Sequence, residues 1–145
     1  MDKIYTELTD MLGKIPQDEL GNWIIDREND GTMDHPVQMP FVEYSELVRG
    51  FVTAVYRFEE EHSEYGLSGY IHILEKHDIE WGDKSMAAAD VSDMDGQGVM
   101  ALLMGAVRAE RFCDGALLDF FENGCIQKWI ERLKEIDNVK ADKDI

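Results

Sequence analysis

The chain has 145 residues, 44% hydrophobic and 10% aromatic, with 31 Asp and Glu against 14 Lys and Arg, a formal net charge of −17. Its length and apolar content suit one packed domain rather than a disordered chain. The charge argues against nucleic acid or an anionic membrane as a direct partner, because both are bound through Lys and Arg.

The acidity is uneven. Residues 1–50 hold 11 acids and 4 bases, residues 51–100 hold 11 and 3, and residues 101–145 hold 9 and 7. An acidic surface keeps a protein soluble and favours basic or neutral partners. The first 25 residues contain Asp2, Glu7, Asp10, Asp18 and Glu19 and no signal-peptide-like apolar run, and no stretch nears the length of a membrane span. A cytoplasmic location is expected. Cys113 and Cys125, both in apolar helical surroundings, are expected to be buried free thiols.

Ile4, Leu8, Met11, Leu12 and Ile15 form one apolar stripe, which predicts a first helix of about three turns ended by Pro16. Trp23-Ile24-Ile25 and Val37-Met39-Phe41 flank a polar segment containing Asn29-Asp30-Gly31. This pattern predicts a small β-hairpin over about residues 22–44, with Pro36 and Pro40 confining the second arm to an edge. Tyr44, Leu47, Val48, Phe51, Val52, Val55 and Phe58 then recur at helical spacing up to Glu59-Glu60-Glu61. Those glutamates oppose the helix dipole at a C-terminus, so with Glu64 and the stretch Glu75 to Asp83 they are candidates for an acidic interaction face.

Leu67, Tyr70, Ile71 and Leu74 predict a shorter helix stopping near His77-Asp78, and Ser85 predicts a cap for a turn or two at 86–89. Ser92-Asp93-Met94-Asp95 reads as a capping box at the head of Val99 to Val107, a run without a polar side chain and the predicted central buried helix. Ala101, Gly105 and Ala109 give that helix a small-residue face for close packing. Leu117, Leu118, Phe120 and Phe121 predict one further helix stopped by Asn123-Gly124, and Ile126, Trp129, Ile130, Leu133 and Ile136 the last. The expected fold is mainly α: a single helical domain of about six helices over 1–137, with one small hairpin and a charged flexible tail at 138–145.

Candidate chemistry is sparse. Asp26 to Gly31 and Asp93 to Gly98 begin like calcium loops, but their twelfth positions are Val37 and Met104 instead of Glu. His35, His62, His72 and His77 have no ligand spacing, and no nucleophile elbow or phosphate-binding glycine loop is present. No metal or cofactor is expected. Arg108, Glu110, Arg111 and Asp114 follow the buried run; on a helix Arg108 and Arg111 are neighbours at i, i+3, as are Arg111 and Asp114, and two arginines so placed would suit an anionic ligand. The alternative is a salt-bridge network. Met33, Met39, Met86, Met94, Met100 and Met104 are core filler or the lining of an adaptable groove.

The stretch from Arg108-Ala-Glu110-Arg111-Phe112 through Asp114-Gly115, Asn123-Gly124 and Trp129 to Leu133 resembles a family of small bacterial proteins known only as a domain of unknown function. The similarity runs from about Trp23 to Asp137. It implies a single cytoplasmic domain, and it transfers no activity and no catalytic residue.

Three functional readings follow. The first is a non-enzymatic protein-interaction module with a basic or neutral partner. The second is an acidic mimic of nucleic acid that inhibits a DNA- or RNA-processing protein. The third is a small-ligand protein or enzyme built on Arg108, Glu110, Arg111 and Asp114. A homodimer is also conceivable, with Lys128, Arg132 and Lys134 of the last helix facing the acidic surface of a second copy.

Overall fold

The computed structural model describes residues 4–15, 20–25, 27–28, 31–36 and 40–143, with side chains through 139. Among them are seven α-helices: α1 (Thr6–Thr9), α2 (Glu46–Glu61), α3 (Tyr70–Lys76), α4 (Asp83–Ala88), α5 (Gly96–Ala109), α6 (Ala116–Glu122) and α7 (Cys125–Lys143). Strands β1 (Gly21–Ile24) and β2 (Phe41–Tyr44) form one antiparallel hairpin, with Gly21 opposite Tyr44 and Ile24 opposite Phe41. The mainly helical fold with one hairpin is as expected, with one helix more than the six anticipated.

Helix α5 is the axis of the domain, buried without interruption from Gly98 to Val107. A helix apolar on every side must be surrounded, and α2, α3, α6 and α7 pack against it. Its cap differs from the expectation. Asp95, not Ser92, occupies the cap position and accepts the Gly98 N–H at 2.8 Å, while the Ser92 hydroxyl donates to Asp90 at 2.7 Å. A carboxylate one residue before the helix reaches the orphan N–H groups directly, which leaves Ser92 to close its own turn.

Four other boundaries shift for local reasons. The first helix is only Thr6–Thr9, and turns continue to Ile15, although Tyr5, Leu8 and Ile15 are buried as its stripe requires. Gly13 and the two threonines weaken so short a helix. Tyr44 belongs to β2, and α2 begins after Ser45, whose hydroxyl accepts the Val48 N–H at 3.3 Å. Ser85 lies inside α4, where its hydroxyl accepts the Glu80 N–H at 2.9 Å. Helix α7 runs past Asn138 to Lys143. Pro16, Val37 and Met39 lie outside the described residues.

The cationic side of α7 is partly occupied within the chain. Lys128 donates to the carbonyls of Ala87 and Ala89 at 3.3 and 3.4 Å, and Arg132 Nε donates to the Met94 carbonyl at 2.9 Å. Both side chains clamp the segment between α4 and α5. Lys134 is exposed.

Candidate functional site

Helix α5 stops at Ala109, so Arg108, Glu110, Arg111 and Asp114 do not share one helical face. Residues 110–115 form a turn that delivers the chain into α6. The carboxylate of Glu110 accepts the Gly115 N–H with both oxygens at 3.1 Å, the Leu117 N–H at 3.0 Å and the Tyr44 hydroxyl at 2.6 Å. Glu110 thus caps α6 from the preceding turn, satisfying N–H groups that a new helix leaves open. Burial, and then the neighbouring Glu110 carboxylate, push the Tyr44 hydroxyl well above the usual tyrosine range. Gly115 has φ of +90°, and a β-carbon there would collide with the Trp23 indole, so the turn requires glycine.

Arg108 is half-buried, with its guanidinium 5.5 Å from the Tyr56 ring centroid and its Nε enclosed without a hydrogen-bond partner. Arg111 and Asp114 are exposed. Among the described residues, none of the four forms an ion pair within 4.0 Å.

The same turn builds a feature not anticipated from sequence. Phe112 projects from it, 76% exposed, and meets Trp81 edge to face with ring centroids 5.4 Å apart. Trp81 is itself fixed: its indole N–H donates to the Gly105 carbonyl at 3.0 Å, and Tyr70 lies edge-on at 5.7 Å. The small-residue face of α5 explains the approach. A β-carbon at Gly105 would stand 3.0 Å from Met86 Cε of α4, 3.3 Å from Trp81 Cδ1 and 3.6 Å from Leu74 Cδ1 of α3, so glycine admits these side chains and the helices that carry two of them. Trp81, Met86, Phe112 and Phe120 bound a half-open groove of about 360 Å³, with Asp83 and Asp119 at its edge. The sequence signals were Trp81 outside any helical stripe and Phe112 in a polar turn; neither marks a groove without the packing of α4 against α6.

The acidic candidates lie elsewhere. Glu60, Glu61 and Glu64 are exposed and Glu59 half-buried, with Glu64 3.3 Å from His62 Nδ1. Gln97 donates to the Tyr65 carbonyl at 2.8 Å, which sets this face by the start of α5, whereas Arg108 lies in its last turn. At 1.5 Å rise per residue, the two candidate sets are separated along the axis by roughly 16 Å.

Cys125 is buried, and burial pushes its thiol upward, but Cys113 is exposed on the groove, contrary to expectation, because it sits in the turn. Asp26, Asn29 and Asp30 of the first calcium-like segment lie outside the described residues, and Asp95 of the second is the α5 cap. Among the described residues, no three His, Cys, Asp or Glu side chains are grouped to hold a metal ion, and no helix is long and apolar enough to cross a membrane.

A family model described as a family of unknown function, DUF6508, matches residues 3–139. The chain belongs to DUF6508. The match is wider than the Trp23 to Asp137 similarity read from the sequence, and it takes in the hairpin, the Glu110 turn and the groove of this DUF6508 member. No curated protein and no solved structure matches the chain.

Proposed function

We propose that this protein is a cytoplasmic, non-enzymatic interaction module that binds a protein with a basic surface. The observation that carries this reading is Phe112, an aromatic ring 76% exposed at the mouth of a half-open apolar groove. Exposed apolar area of this kind favours a partner that covers it, and aromatic anchors dominate the energetics of many interfaces. The net charge of −17 and the exposed Glu60, Glu61 and Glu64 favour a cationic partner and speed its encounter. The exposed free thiol of Cys113 fits a reducing compartment.

The test is capture of partners at low and high salt by the wild type, by Phe112→Ala and by a triple variant, Glu60→Lys, Glu61→Lys and Glu64→Lys. The reading expects a basic protein that is retained at low salt, weakened at high salt and lost with Phe112→Ala. Equal capture by wild type and Phe112→Ala would refute it.

A second reading, an anionic small ligand on Arg108 and Arg111, is favoured by Arg108 having no ion pair among the described residues. Glu110 is then the holder of the turn. Titration with inorganic phosphate, followed through Arg108→Gln, tests it: phosphate-induced stabilisation lost in Arg108→Gln supports this reading, and no stabilisation of the wild type ends it.

A further inference from the structure

We propose that the groove beside the Trp81–Phe112 pair takes one aromatic side chain of a partner segment whose adjacent residue is Lys or Arg. This inference rests on the interaction reading and names the chemistry that the partner presents. One wall is an aromatic pair arranged before any ligand arrives: the Trp81 indole is held by the Gly105 carbonyl, and Phe112 stands edge-on to it. The floor is Met86 and Phe120, both essentially inaccessible at 0% and 3% exposure. A volume of about 360 Å³ lies at the small end of ligand sites. It suits one large side chain.

The rim specifies what accompanies that ring. Asp83 and Asp119 are exposed at the groove, and neither forms an ion pair among the described residues. Asp83 Oδ1 accepts the Lys84 N–H at 2.8 Å, which orients its carboxylate. Among the described residues, no Lys or Arg lines the groove. A residue entering it therefore meets two carboxylates at the mouth, and a flanking cation is favoured over a flanking acid.

Blocked dipeptides test this directly. Acetyl-Trp-Arg-amide, acetyl-Trp-Glu-amide, acetyl-Ala-Arg-amide and tryptamine are titrated into the isotope-labelled full chain and followed by NMR. The expected result is that Trp-Arg shifts the Trp81 indole N–H and the Phe112 and Phe120 rings. It should bind about threefold more tightly than Trp-Glu, a margin typical of exposed ion pairs. Asp83→Asn with Asp119→Asn should erase that margin, and Phe112→Ala, which alters an exposed residue, should weaken Trp-Arg while leaving the thermal midpoint unchanged. Equal binding of Trp-Glu, equal binding of Ala-Arg, shifts away from the groove, or no shift up to about 10 mM peptide overturns the proposal. Tighter binding of tryptamine than of Trp-Arg also overturns it, in favour of a free amine. These outcomes are separable from the interaction reading, which is judged by whether Phe112→Ala loses a captured protein.

Discussion

The Tyr44 hydroxyl donates to Glu110 Oε1 across 2.6 Å and accepts the Leu118 N–H at 3.1 Å, so two side chains join the hairpin, the end of α5 and the start of α6. Glu110 also holds the Gly115 and Leu117 N–H groups, and charge-assisted hydrogen bonds of this kind are stronger than neutral ones. Glu110→Ala is expected to lower the unfolding free energy by about 3 kcal/mol, because the freed donors are partly enclosed. Glu110→Gln keeps one acceptor oxygen and should lose roughly half as much. Urea denaturation of the three proteins decides the matter: wild-type stability in Glu110→Ala would release Glu110 from this role and return it to the ligand candidates.

The buried tyrosines make stability fall at alkaline pH. Burial pushes the Tyr44 and Tyr5 hydroxyls upward, assisted by Glu110 for the first and by Tyr65, 2.5 Å away, for the second. In the unfolded chain both ionise near pH 10, whereas the folded chain holds their protons to higher pH. The unfolded state then binds fewer protons, so this contribution is complete below about pH 10 and is lost as the pH rises further. The thermal midpoint should decline above about pH 10, and less steeply in Tyr44→Phe, which has one raised group fewer. A midpoint that stays level to about pH 11 would contradict this account.

What was readable in the sequence was local period, and what was hidden was contact across long separations. The apolar run Val99 to Val107 announces a buried helix because nothing in it tolerates water. Counting at i, i+3 carries that helix on to Asp114, yet it ends at Ala109. The reasons are remote: Glu110 is drawn to Tyr44, far earlier in the chain, and Gly115 must lie under Trp23 with a positive φ. The hairpin was foreseen from Trp23-Ile24, but its second strand extends to Tyr44 because that residue pairs with Gly21. Lys128 and Arg132 look like free cations on a helix until the fold sets backbone carbonyls within their reach. The groove at Phe112 depends wholly on such placements.

Asp137 is a second long-range holder, 2% exposed at the far end of the chain from its partners. Its carboxylate accepts the Ile4 N–H at 3.2 Å and the Tyr5 N–H at 3.1 Å, which satisfies the start of α1 and seats Tyr5 against Phe58. Asp137→Ala should cost about 2–3 kcal/mol and loosen residues 4–15 in particular. Hydrogen exchange is the appropriate readout: amides of residues 4–15 should open at a lower free energy than those of α5, which exchange only through global unfolding. Equal opening free energies for residues 4–15 and for α5 would mean that the first segment does not open separately.

The two thiols should differ sharply in reactivity, and the difference reports on the groove. Cys113 is exposed beside Phe112, whereas Cys125 is buried and its thiol is pushed upward by that burial. Thiolate is the reactive species, so burial slows Cys125 both by access and by protonation. A disulfide reagent near pH 8 should modify one thiol rapidly in the native protein, and the second only as denaturant is added. Cys113→Ser should remove the fast phase and Cys125→Ser the slow one. Because Cys113 lines the groove, acetyl-Trp-Arg-amide should also slow the fast phase, whereas acetyl-Ala-Arg-amide should leave it unchanged. A fast phase that survives Cys113→Ser would place the accessible thiol at Cys125 and contradict the packing of α7 described above.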